Sequence, residues 1–140
     1  MSIYLDHAAT TPILRQAREA MLRGFDLWAN PSSPHGAGRQ ARAALEDARE
    51  RVKAALGWDG EVIFTSGASE ALGIGWGRSQ ALRKRASAVE HPALARLAEG
   101  GEALGVDGQG QVDPTALPAA DLIAIQQMNN ETGVIQPCSA

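Results

Sequence analysis

Residues 64–71 read Phe-Thr-Ser-Gly-Ala-Ser-Glu-Ala. Their first two residues close the run Glu61–Thr65 (EVIFT), whose β-branched and aromatic composition predicts a short buried strand. Ser66-Gly67 then opens a helical stretch predicted to reach about Arg85. A strand passing through a tight turn into a helix is the building unit of α/β proteins.

On the N-terminal side, Ile3–Leu5 reads as a short extended segment, and Thr11-Pro12 supplies a helix start signal for a helix from about Pro12 to Leu27. Ser33-Pro34 repeats that signal. Beyond it Ala41, Leu45, Ala48, Val52 and Leu56 recur at helical spacing, with Arg42, Glu46, Glu50 and Lys53 on the outward face. Gly57 marks the stop and Asp59-Gly60 the turn. On the C-terminal side, strands are predicted at Ala86–Val89, Glu102–Val106 and Asp121–Ile125, with a short helix over Pro92–Ala98. The alternation predicts an α/β fold, a mostly parallel sheet with flanking helices. Residues 1–140 read as one domain, and an incomplete one: a parallel sheet of four or five strands that ends at QPCSA leaves an unpaired edge.

The composition, 44% hydrophobic and 21% charged in 140 residues, suits a globular core. A formal net charge of −3 gives no basic excess for nucleic acid or an anionic membrane surface, so neither is expected as a partner. The first residues, MSIYLDHAATTP, lack a basic segment followed by an apolar run, and no run of about 18 apolar residues occurs, which predicts a cytoplasmic protein. One cysteine, Cys138, allows neither an internal disulfide nor a multi-cysteine metal site, and no metal is expected. Asn130-Glu131-Thr132 matches a glycosylation sequon, read as accidental in the absence of a secretion signal.

The turn at Thr65–Ser69 has the chemistry of a phosphate cup: free N–H groups at a helix start, Gly67 for close approach, and the hydroxyls of Ser66 and Ser69 as donors. The plainer reading is a serine capping the helix. Gly73-Ile74-Gly75-Trp76-Gly77 lacks the dinucleotide spacing and is read as close helix packing, and no Walker A sequence supports a nucleotide-binding domain. Glu90-His91-Pro92 and Asn129–Gly133 each follow a predicted strand, at the end where open α/β sheets bind ligands. There an imidazole can lie on a planar ring and an Asn amide can donate to a phenolic oxygen; the plainer readings are a solvated histidine and a turn. Asp6-His7 is read as structural, since neighbours in an extended segment point to opposite faces, and Cys138 has no cationic neighbour to make it a nucleophile.

Five stretches in order, YLDHAATTP (4–12), NPSSPHGAGRQAR (30–42), FTSGASEA (64–71), VEHPAL (89–94) and MNNETGVIQP (128–137), resemble the NifS-like cysteine desulfurases of the class V aminotransferase group over essentially the whole chain. The resemblance implies the N-terminal part of the large domain of a pyridoxal 5'-phosphate (PLP)-dependent transferase of fold type I, homodimeric when complete. It also implies an enzyme that removes sulfur from L-cysteine, giving L-alanine and a persulfide passed to a sulfur acceptor or scaffold protein for iron-sulfur cluster assembly. Carried over by position, Ala68 and Ser69 would hold the cofactor phosphate, His91 would stack on its ring, and Asn130 would lie near the 3-oxygen. Ser69 stands where many members have Thr, and Leu72–Gly77 (LGIGWG) departs from the usual helix start. The family's lysine that bonds the cofactor, its aspartate partner of the ring nitrogen and its cysteine loop match nothing here. No catalytic residue is therefore expected, and the chain is expected to be a truncated or split portion, inactive alone. Selenocysteine lyase or another class V enzyme, and a non-catalytic or interaction fragment, are the competing expectations.

Overall fold

A computed structural model describes residues 3–138. The chain forms two compact units, one ending at Phe64 and the other beginning at Thr65.

The first unit holds helix α1 (Arg15–Asp26) and helix α2 (Gly36–Leu56). The expected start at Thr11-Pro12 is three residues early. Thr11 Oγ1 donates to the His7 carbonyl instead of capping, and Leu14 stays extended as an N-cap with no side-chain bond. For α2 the cap is not Ser33 but His35, whose Nδ1 accepts the Gly38 N–H at 3.3 Å. The stop at Gly57 is as read: it adopts φ 61°, its N–H bonds the Ala54 carbonyl, and the Trp58 N–H bonds that of Lys53, the paired bonds of a Schellman ending.

The apolar stripe of α2 exists, yet it does not form a core. Only Gly38 of this helix is buried, and Leu56 is 72% exposed. The outward charges pair along the helix: Arg42 with Glu46, Arg49 with Glu46, and Lys53 with Glu50 at 3.1 Å. Such pairs add only tenths of a kcal/mol, roughly 0.2–0.5 each. Residues 61–65, expected as a buried strand, form none, and Ile63 is 74% exposed. A strand is a property of a pair, and among the described residues none pairs with this segment. It is held instead through Arg49, whose Nε donates to the Val62 carbonyl at 2.8 Å and whose guanidinium lies 5.7 Å from the Phe64 ring centre. Ile3–Leu5 is likewise unpaired and exposed.

The second unit runs α3 (Ala68–Arg78), β1 (Lys84–Ser87), α4 (Pro92–Ala95), β2 (Ala103–Leu104), a 3-10 turn at Pro114–Ala116, and β3 (Leu122–Ala124). The strands form a parallel sheet in the order β2-β1-β3, with Ala86 opposite both Ala103 and Ala124. The α/β class and parallel pairing are as expected, but the boundaries move. Helix α3 stops at Arg78 rather than Arg85, because Ser79 turns extended and Lys84 reaches back with its Nζ to cap the Trp76 carbonyl. Residues Lys84 and Arg85 then enter β1. Asp121 fastens the start of β3 beside them: its carboxylate accepts the Leu82 N–H (3.1 Å) and the Arg83 N–H (2.8 Å) and pairs with the Arg83 guanidinium (3.1 Å).

The buried apolar residues are Ala86, Leu94, Leu104 and Val112, joined by Gln136, which accepts the Val112 N–H at 2.9 Å and donates to the Gly110 carbonyl at 2.8 Å. Leu94 projects from α4 into an apolar hollow of about 200 Å³ shared with Ala71, Leu72, Gly75, Trp76, Leu122 and Ala124. At 2% exposure it is the most buried side chain of this core. Leu94→Ala enlarges the hollow and is expected to cost about 3 kcal/mol, seen as a lowered unfolding midpoint of the full chain; a change below about 1 kcal/mol would show that this core carries little of the stability.

The glycines of α3 do not serve close packing within the described chain. A Cβ added at Gly73, Gly75 or Gly77 would meet nothing within 4 Å. No helix among the described residues is long and apolar enough to cross a membrane.

Candidate cofactor-binding site

β1 is the middle strand: its outgoing connection through α4 leads to β2 on one side, while β3 lies on the other. The loops that leave the C-terminal ends of β1 and β3 therefore lie side by side, at the end of the sheet where open α/β folds take ligands. The loop after β1 carries Glu90 and His91, and the loop after β3 carries Gln126, Asn129 and Asn130.

Side chains join these two loops beyond the end of the strand ladder. The Asn129 amide donates to the Val89 carbonyl at 2.9 Å, the Gln126 amide donates to the same oxygen, and the Gln126 N–H donates to Glu90 Oε1 at 2.6 Å. Asn129 Oδ1 also accepts the N–H groups of Glu131 (2.9 Å) and Thr132 (2.8 Å), which closes the turn that Gly133 completes at φ 73° between Met128 and Ile135.

His91 heads α4, and its Nδ1 accepts the Ala93 N–H at 3.1 Å. Accepting there puts the proton of the neutral ring on Nε2 and leaves that edge and the ring face exposed. Asn130 is exposed on the tip of its turn. The structure thus brings the His91 and Asn130 loops together.

Ala68 and Ser69 open α3, in the same unit. The first intrahelical bond near this end runs from the Ala71 N–H to the Gly67 carbonyl at 3.1 Å, so the N–H groups of Ala68 and Ser69 have no partner within the helix. The N-cap, Gly67, has no side-chain bond, and a Cβ placed on it would meet nothing within 4 Å. Neither serine caps the helix. Ser66 is not free for a ligand either: its N–H (2.6 Å) and hydroxyl (2.8 Å) both donate to Glu70 Oε2, which leaves the Ser69 hydroxyl as the side-chain donor of the turn. Among the described residues no hydrogen bond runs from this turn to the His91 or Asn130 loops.

The Ser66 bonds, backbone first and hydroxyl second, hold the Glu70 carboxyl below its ordinary value of 4.5. Asp121 is held low by Arg83, backbone N–H first and side chain second. A carboxyl depressed in the fold stabilises it above the unfolded value, and that contribution is lost as pH falls through the folded value. Stability is therefore expected to decline on acidification below about pH 4.5. Glu70→Gln should make the decline shallower in denaturant midpoints taken across that range; an unchanged profile would remove Glu70 from the account.

Glu90, Gln126 and Asn129 were not among the residues read as functional. Their signal is only adjacency, each being a polar residue beside or near a strand end that was already of interest.

Known proteins are similar to this chain in sequence and in fold. A cysteine desulfurase, IscS, of Dictyoglomus turgidum is 39% identical over 96% of this chain and 39% of its own length. A cysteine desulfurase of a Frankia strain is 37% identical over 95% of this chain and 38% of its own. The solved structure of a NifS-like protein from Rickettsia africae superposes with a TM-score of 0.80 at 30% identity, over 96% of this chain and 42% of that one. The chain thus spans about 40% of the length of the curated relatives it matches. The model of the class-V aminotransferase family matches residues 3–140, across both units and every turn described above, and to that family the chain belongs.

Proposed function

We propose that these residues form the N-terminal segment and the first part of the cofactor-binding large domain of a PLP-dependent cysteine desulfurase, acting on L-cysteine and passing its sulfur to an acceptor protein. The observation that carries the reading is the match, over 95% or more of the chain, to relatives named cysteine desulfurase.

The turn chemistry fits the cofactor. The N–H groups of Ala68 and Ser69, which have no partner among the described residues, suit with the Ser69 hydroxyl a phosphate at a helix start, and open space at Gly67 leaves room for it. His91, its ring fixed by the Ala93 N–H, offers a flat face to a pyridine, and Asn130 offers an amide donor to its 3-oxygen. When bound, PLP supplies an electron-withdrawing ring that lets bonds at the amino-acid substrate be broken. The residues here bind and orient; they do not supply the amine that fastens the cofactor. Lys53 is paired with Glu50, and the Lys84 ammonium is spent on the Trp76 carbonyl. We assign that lysine, the partner of the ring nitrogen and the nucleophilic cysteine to polypeptide outside these 140 residues. The homodimer of the complete enzyme rests on the same resemblance.

The test is a titration of the purified chain with PLP and with pyridoxal, followed by borohydride and mass mapping. Saturable binding that needs the phosphate, no reduced adduct on Lys53 or Lys84, and no sulfide released from L-cysteine are expected. Equal binding of pyridoxal and PLP would sink the cradle, and sulfide release would overturn the assignment of the chemistry elsewhere.

A further inference from the structure

We propose that Glu90 is a positioning residue whose carboxylate sets the span between His91 and Asn130; the proposal rests on the reading that those two residues face the cofactor. The backbone ladder between β1 and β3 ends at Ala86 opposite Ala124. Beyond that pair no backbone hydrogen bond joins the two segments among the described residues, and the N–H of Gln126 and the carbonyl of Val89 are met by side chains instead. Glu90 supplies one of them. Its Oε1 accepts the Gln126 N–H at 2.6 Å across the gap and the Ser87 hydroxyl at 3.2 Å from the last residue of its own strand. Gln126 answers with its side-chain amide to the Val89 carbonyl, which also takes the Asn129 amide.

Three bonds therefore cross between segments 36 to 40 residues apart in sequence, and Glu90 is the one anionic member. The proposed ring-contact residues each follow a member of this clamp by one position, His91 after Glu90 and Asn130 after Asn129. Each is also fixed on its far side, His91 by the Ala93 N–H and Asn130 by the Asn129-centred turn. With each loop bonded within itself, the clamp is what decides their separation.

The experiment compares Glu90→Ala and Glu90→Gln in the full 140-residue chain. Amide hydrogen exchange of Gln126 and the resonances of the His91 ring and the Asn130 amide are followed without ligand, and PLP affinity is measured separately. Glu90→Ala is expected to speed Gln126 exchange about tenfold, to shift the His91 and Asn130 signals, and to weaken PLP by a similar factor. Glu90→Gln keeps an acceptor oxygen at the same reach and is expected to restore all three. If Glu90→Ala does not fold, Glu90→Asp, too short to span the gap, takes its place with the same readouts. Unchanged Gln126 exchange, unmoved His91 and Asn130 signals, or a uniform acceleration over the whole second unit would each overturn the positioning role. Should the unaltered chain show no preference for PLP over pyridoxal, the cofactor reading fails, while the exchange arm still decides whether Glu90 sets the span.

Discussion

Replacing Gly38 by alanine is expected to cost the first unit about 3 kcal/mol. The first turn of α2 lies directly on the turn at residues 30–33. A Cβ at position 38 would fall 2.8 Å from Ser33 Cβ and 2.9 Å from the Asn30 carbonyl oxygen, and closer still to that of Ser33. These are mostly backbone atoms, and they cannot swing aside. The turn is itself bonded, with the Ser33 N–H on the Asn30 carbonyl at 3.0 Å and the Ser32 N–H on Asn30 Oδ1 at 2.9 Å. The Gly38 N–H is moreover the donor that His35 caps. Gly36→Ala is the control, two residues earlier in the same turn. Its nearest neighbour is the end of the Arg39 side chain at 4.0 Å, and the gain in helix propensity, up to about 1 kcal/mol, should show. Denaturant midpoints by circular dichroism decide: equal effects of the two variants would mean that the close approach at Gly38 does not hold in solution.

The second large effect separates stability from binding. Ser69→Asp places a carboxylate in the first turn of α3, where the macrodipole favours it by a few tenths of a kcal/mol, roughly 0.3–1. The same charge would face a ligand phosphate, and two anions a few ångströms apart near a protein surface repel strongly enough to lower affinity at least about tenfold. The fold should therefore hold or gain while PLP binding falls. Ser69→Thr, which keeps the hydroxyl, should bind as the unaltered chain does. If Ser69→Asp binds PLP undiminished, the phosphate does not sit at this helix start.

Much of the molecule was legible from residues near one another in the chain. The span of α2, its Gly57 ending, the parallel pairing and the turns carrying His91 and Asn130 all follow from spacing and turn chemistry. The same local signals misled where the outcome depends on a partner. Residues 61–65 have strand composition and no strand beside them among the described residues, so Ile63 stands in the open. The glycines of α3 look like packing glycines, yet among the described residues nothing lies within 4 Å of where their Cβ atoms would be. Ser66 reads as a phosphate donor, but Glu70, one helical turn on, takes both its donors.

The five motifs and their order, the α/β class and the residue types at the strand ends were thus determined by the sequence alone, because each is read from local residue patterns and their succession along the chain. The tertiary structure alone decided where α3 ends, which apolar faces stay uncovered, and that Glu90, Gln126 and Asn129 tie the two site loops together. The physical reason is separation: those bonds join residues 36 to 40 positions apart, and a hydrogen bond of about 3 Å between such residues is set by how the strands pack, not by anything either segment encodes by itself.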